Sequence, residues 1–336
     1  MGKSKKIFIV FLLIMAVVLG SIYYVINVPM SKTNNKGVDF RIGTKADIDF
    51  VAKSLKKKGL VRSYLVAKYY FKLNNLKLNV GPYEFNQTMS LKKIFNMINN
   101  GETDKNIIMV TVPEGFTVKQ IAEKLKSLEI IKDIDSFLEE AQNGSFNYEF
   151  LDGIKDRPSR LEGYLFPDTY EIKKGMSNYE IINIMLKRFD DVYKKKIKGK
   201  IKKENMTLDD VIKLASIVER EAKVKEERPI IAAVFYNRLE KDIKLESCAT
   251  VQYALGRTKE KLSFDDLKIN SPYNTYIIKG LPIGPICNPG LASIEAALNP
   301  ANVDYLYFLV DESKRDGSHF FTKSYEEFLR KKHSNK

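Results

Sequence analysis

Residues Ile7 to Val28, IFIVFLLIMAVVLGSIYYVINV, carry no charged side chain, and Asn27 is their one amide. Twenty-two residues in a helix reach about 33 Å, enough to cross the hydrocarbon layer of a bilayer. A buried helix of a soluble protein is the alternative; the continuous apolarity all round, directly after Lys3, Lys5 and Lys6, argues against it. A cleaved signal peptide shares those features. The length of the stretch and the lack of an Ala-x-Ala site after it favour an uncleaved anchor. The basic flank puts the N-terminus in the cytoplasm, a bias that Lys32 and Lys36 weaken without reversing. The expectation is a tail at 1–6, a single transmembrane helix at 7–28, a polar linker at 29–37, and the remaining chain outside the cytoplasm. ATP and nicotinamide cofactors are scarce there, so wall and surface chemistries are favoured.

The chain has 336 residues, of which 56 are basic and 42 acidic, for a net charge of +14. That balance favours anionic partners such as membranes or wall polymers. No DNA- or RNA-binding motif accompanies it, so nucleic acid is not expected. Cys248 and Cys287 are too few for a disulfide scaffold or a cysteine-built zinc cluster; they read as two unpaired buried thiols, with a disulfide as the alternative. His319 and His333, the two histidines, lack metal-ligand spacing. No metal is expected.

Beyond the linker, short strands alternate with helices. Val38–Ile42 alternates as a strand, and Ala46–Lys58 has helical spacing through Ile48, Val51 and Leu55. Met89–Gly101 opens with Ser90 as N-cap and stops at a glycine. A unit related to the first returns at Ile107–Ile131, where a strand runs into Pro113-Glu114-Gly115 and a helix follows. Residues 143–160 are rich in Asn, Gly, Asp and Pro and suit a connection between domains. Lys194–Lys203 packs seven lysines into ten positions and reads as a solvated surface, with anionic lipid or wall polymer as the alternative contact.

Thr207 and Asp210 have capping-box character, so a helix begins near Leu208. At about 100° per residue, Leu208, Val211, Ile212, Leu214, Ala215, Val218 and Ala222 share one face, and Glu219 falls among them. A carboxylate removed from water has a raised pKa, which suits a general acid. The same position also suits a rim glutamate paired with a lysine or arginine from elsewhere. Helix geometry leaves both open.

Five strings then stand in order: LEGYLFPDTY (161–170), LASIVERE (214–221), VFYNRL (234–239), SPYNTYIIKGLPIGPICNPGLASIEAALNPA (271–301) and YLYFLVDESKRDGSHFF (305–321). Together, behind an N-terminal anchor, they resemble the endolytic murein transglycosylases of the YceG-like family. The resemblance runs from the anchor nearly to the C-terminus and is densest over 161–321. It implies an α+β architecture: the single N-terminal transmembrane helix, a LysM-like α/β module (38–112), a connecting helical segment (113–160) and a mixed α+β catalytic domain (161–330). It implies cleavage of peptidoglycan glycan strands between N-acetylmuramic acid and N-acetylglucosamine, beside the membrane, in partnership with peptidoglycan synthases. Glu219 corresponds to the family's catalytic glutamate. The implied chemistry is lyase-type and needs no cofactor: the acid protonates the bridging oxygen, and the muramic 6-hydroxyl closes onto the anomeric carbon to leave a 1,6-anhydro end. Because that nucleophile belongs to the substrate, no second carboxylate at glycosidase spacing is required.

Other residues of these strings are candidate substrate contacts. Tyr164, Phe166 and Tyr170 are separated by even numbers of residues, so an extended chain shows them on one face for sugar stacking; a packed aromatic core is the alternative. Glu162, Thr250, Ser271, Tyr273, Asn274, Thr275 and Asn288 lie in turn-rich or polar segments that suit a cleft. Tyr236, Asn237 and Arg238 follow on an adjoining helix, where Arg238 orients a carboxylate or makes an ordinary ion pair. His319 has no local triad partner and reads as structural. At Cys248-Ala249 the chain departs from the family's expected Asp-Pro pair. Two rival readings remain: a non-catalytic wall-binding scaffold, and a pyridoxal-phosphate lyase, which an extracytoplasmic location opposes.

Overall fold

The computed structural model describes residues 3–104, 106–154, 156–201 and 206–335. The chain divides into two compact units, 1–107 and 108–336, each with its own apolar core. The first opens with α1 (Lys3–Asn27). Its stretch Ile7–Asn27 is long and apolar enough to cross a membrane, and its residues stand exposed as far as Tyr24. Met1 and Gly2 of the expected tail lie outside the described residues.

β1 (Val38–Ile42), α2 (Ile48–Lys57), α3 (Tyr64–Leu73), β2 (Gly81–Phe85) and α4 (Leu91–Asn100) follow. The strands pair antiparallel, with Val38 opposite Phe85 and Ile42 opposite Gly81. The period-two pattern of β1 buries Phe40 and Ile42 and leaves Asp39 and Arg41 exposed, as the alternation predicts. Ser90 caps α4 by accepting the N–H of Lys93, and Gly101 ends it at φ 66°, the left-handed conformation that glycine supplies most readily. Arg62 lies over the Tyr24 ring at 4.9 Å and donates to the carbonyls of Val28 and Pro29, which ties the end of α1 to this unit. Carboxylate oxygens of Asp39, Glu84 and Asp104 come within 4.8 Å of one another, and each of these residues has other partners in the structure.

The second unit repeats the order strand, helix, helix, strand, helix with β3 (Ile107–Thr111), α5 (Val118–Ser127), α6 (Ile134–Asn143), β4 (Thr169–Lys173) and α7 (Asn178–Val192), β3 lying beside β4. The correspondence reaches single residues. Asp47 and Thr117 cap the first helices, Ser63 and Asp133 the second, and Ser90 and Ser177 the third. Buried Val51, Ala52 and Leu55 of α2 match buried Ile121, Ala122 and Leu125 of α5. One connection differs: residues 74–80 in the first copy become 144–168 in the second. That longer passage is not a bare linker, because Phe146, Phe150 and Leu151 enter the core of the second unit.

The rest comprises α8 (Leu208–Glu221), α9 (Arg228–Glu240), α10 (Cys248–Ala254), α11 (Leu291–Leu298), β5 (Tyr307–Val310), β6 (His319–Thr322) and α12 (Tyr325–Ser334). β5 and β6 pair antiparallel, Tyr307 opposite Thr322. α8 starts with the expected capping box between Thr207 and Asp210. The structure corrects the one-sided reading of this helix. Every residue from Val211 to Val218 is buried, because α9, α10 and α11 all pack on it. Lys213 is therefore also buried, its charge matched by Asp209 at 2.9 Å. Both thiols are unpaired, as expected, and Cys287 is buried; the correction is Cys248, which is exposed. In the lysine run, Lys194 pairs with Asp190 and Lys198 with Glu149, while Lys202 and Lys203 lie outside the described residues.

Candidate active site

Glu219 stands in the last turn of α8, its side chain 7% exposed. Two loops meet over it. Pro113-Glu114-Gly115 follows β3, and Asn288-Pro289-Gly290 leads into α11, with Gly290 as N-cap. The loops are clasped by reciprocal bonds: the Gly115 N–H donates to the Asn288 carbonyl at 2.9 Å, and the Asn288 N–H to the Phe116 carbonyl at 2.8 Å. Glu219 Oε2 accepts the Gly290 N–H at 3.0 Å, and Oε1 faces Arg228 Nη2 at 3.4 Å. Arg228 begins α9 and is itself buried, its Nε donating to Ser293 on α11 at 3.0 Å. The sequence left Glu219 open to either an apolar setting or a partner from elsewhere; the structure supplies the partner. Arg228 and Glu114 were not singled out from the sequence. The Pro-Glu-Gly turn was its one visible trace, since Arg228 precedes a helix-starting proline and shows no periodic signal.

Behind this site Asn288 acts as a hub. Its Oδ1 accepts from the N–H groups of Gly163 and Leu165 at 3.0 and 2.9 Å, and its Nδ2 donates to the Phe116 carbonyl and to Glu162 Oε1 at 2.9 and 3.2 Å. Glu162 also accepts the Val118 N–H at the start of α5 and the Tyr253 hydroxyl, each at 3.0 Å. Burial pushes the Glu162 carboxyl up to about 8, against the pull of Tyr253, the Val118 N–H and Arg157. Gly163, at φ 93°, is required here: a methyl group on it would lie 2.6 Å from Pro285 and 2.7 Å from Ile212.

A cavity of about 450 Å³ adjoins the hub, and its lining includes Gln120, Arg160, Glu162, Arg220, Tyr253 and Tyr273. Of the sequence-derived candidates, Glu162 and Tyr273 line it. Glu219 does not, although its neighbour Arg220 does.

The other candidates hold the fold. Tyr164 lies in a turn and Phe166 in the irregular stretch before β4, not on one extended face with Tyr170, and all three are buried. The Tyr164 ring stacks on Phe150 at 5.8 Å, and its hydroxyl donates to Asp209 at 2.8 Å. Of the two readings offered by the aromatic spacing, the packed core is the one found. On α9, Tyr236 donates to the Ala297 carbonyl, Asn237 to those of Val303 and Tyr305, and Arg238 to those of Leu306, Lys244 and Leu245. Thr250 and Thr275 share a hydroxyl contact at 2.9 Å, Asn274 donates to the carbonyls of Leu267 and Ile269, and the Ser271 hydroxyl accepts the Tyr273 N–H. His319 bonds Glu227 through Nδ1 at 2.6 Å, in keeping with a structural role.

Known proteins bear on this arrangement. Residues 40–334 match the model of the YceG-like family. An endolytic murein transglycosylase of Bacillus subtilis is 35% identical over 89% of this chain and 85% of its own length. One of Streptococcus pneumoniae is 33% identical over 84% of this chain, which spans 56% of that longer protein. A crystal structure of a putative yceG-like protein from Listeria monocytogenes superposes with a TM-score of 0.60 at 33% identity, covering 88% of this chain and 98% of the other. With two loops clasped over a buried glutamate at the end of α8, and with likeness to these proteins over most of its length, the chain belongs to the YceG-like family.

Proposed function

We propose that this chain is a membrane-anchored endolytic lytic transglycosylase of peptidoglycan, with Glu219 as its catalytic acid. The observation that carries the reading is the setting of Glu219: a carboxyl on a rigid central helix, held by the Gly290 N–H and Arg228 beneath two loops. The names of the Bacillus and Streptococcus relatives support the substrate class. α1 anchors the chain with its N-terminus in the cytoplasm. The first unit serves as a LysM-like glycan-binding module, a reading supported by its β1-α2-α3-β2 order and antiparallel strand pair. Strand synthases beside the membrane are its expected partners.

In the reaction, Glu219 protonates the oxygen bridging N-acetylmuramic acid to N-acetylglucosamine. As that bond breaks, the muramic 6-hydroxyl closes onto the anomeric carbon, giving a 1,6-anhydro end without water. Glu219 Oε1 turns from Arg228, its longer contact, toward the bridging oxygen, while the Gly290 N–H keeps Oε2 in place. The test is mass spectrometry of glycan strands treated with wild type and with Glu219→Gln. Anhydro-ended internal fragments from wild type and a loss of about 100-fold or more in the variant are expected. Unchanged strands with wild type would establish the non-catalytic scaffold instead.

A further inference from the structure

Glu114 is exposed at the mouth of the site and has no hydrogen-bond or ion-pair partner among the described residues. Its carboxyl occupies the place that a side chain on residue 290 would fill: a methyl group on Gly290 would stand 1.9 Å from Glu114 Oε1 and 2.1 Å from Cδ. The same Gly290 gives its N–H to Glu219. On the other side, a methyl group on Gly115 would stand 3.7 Å from Glu219 Cγ. Two carboxyls from elements far apart in sequence therefore flank one glycine. Arg228 Nη1, beside them, is sealed from solvent and has no partner among the described residues. The site thus sets an accessible carboxyl next to Glu219 and a buried guanidinium, within reach of a ligand that enters from solvent.

Building on the reading of Glu219 as the acid, we propose that Glu114 is a second catalytic carboxylate, the base for the muramic 6-hydroxyl. The Glu219 carboxyl gives its proton to the bridging oxygen as the bond to the anomeric carbon breaks, which frees the 4-hydroxyl of the N-acetylglucosamine residue. The 6-hydroxyl oxygen bonds to the anomeric carbon, and its proton passes to the Glu114 carboxylate. The proton gained by Glu114 and the one lost by Glu219 are exchanged with solvent before the next turnover. No water, oxidant or metal enters the balance. The charged groups that face Glu114 are Glu219 on α8, Arg228 on α9 and Lys225 between those helices. Partial burial first, and the Glu219 charge next when Glu219 is ionised, push the Glu114 carboxyl above its ordinary value; once Glu219 carries the proton it will donate, its charge no longer opposes the Glu114 carboxylate.

The experiment compares full-length wild type, Glu114→Gln and Glu219→Gln in detergent on glycan strands of defined length. It reads anhydro-ended product against pH, binding of uncleaved strands, and thermal melting. The expected result for Glu114→Gln is a kcat lower by about 100-fold, binding within about threefold of wild type, and loss of the acid limb of the kcat profile. A kcat within about threefold of wild type, or a lower kcat with both limbs unmoved, overturns the assignment. Should Glu114→Gln melt early, Glu114→Asp decides: a displaced acid limb supports the role, and an identical limb overturns it. Failure of wild type to make anhydro ends would sink the transglycosylase reading itself, whatever Glu114 does.

Discussion

Gly290 is the residue on which the site turns, because its missing side chain makes room for Glu114 while its N–H orients Glu219. Gly290→Ala is expected to melt near wild type yet lose activity on the order of 100-fold, since an added methyl displaces a carboxyl from the reacting centre; turnover and melting measured together check this. Glu162 has a pH signature of its own. Its folded value lies above its ordinary 4.5, so in the fold it keeps a proton that the unfolded chain has released. The stability it contributes is complete below about 4.5 and is lost as pH rises through about 8. Melting of wild type is expected to fall across that window, and Glu162→Gln, which cannot ionise, to flatten the fall. Glu219 could be singled out as a candidate from its place on a helix, and its proposed role came from the resemblance carried by LASIVERE (214–221). Glu114 and Arg228 could not be singled out, since no periodicity links a turn after β3, the end of α8 and the start of α9.

Among the elements, α8 is set by what holds its first turn. Asp209 binds Arg157 at 2.8 Å, Lys213 at 2.9 Å and the Tyr164 hydroxyl at 2.8 Å. Burial opposes the charge on Asp209, but Arg157 and Lys213 prevail and keep its carboxyl below the usual range. Arg157→Met removes one of two cations from Asp209, with Lys213 still at 2.9 Å, and is expected to cost about 2 kcal/mol; denaturant titration of it, of Asp209→Asn and of the double variant checks the coupling. The capping box of this helix could be read from Thr207 and Asp210 because its bonds are local. The aromatic run could not. Even-numbered separations mean a shared face only if the chain is extended, and at 164–165 it turns and bends.

As a whole, the molecule joins an apolar helix to two units with separate cores. Removing residues 1–28 is expected to move the protein from the membrane pellet to the soluble fraction, which fractionation and immunoblotting check. The strand–helix order and the return of the first unit at Ile107 were visible in the sequence, since caps and apolar spacing recur. The merging of 144–168 into the second core was not, because a segment rich in Asn, Gly and Pro looks like a linker until Phe146 and Phe150 are seen buried. One more property follows from the two cysteines. Cys287 is enclosed against α8, its thiol directed at the Ser216 carbonyl, while Cys248 stands at the surface beside Tyr276. The native chain therefore offers a maleimide dye one point of attachment, a built-in optical reporter that needs no engineering.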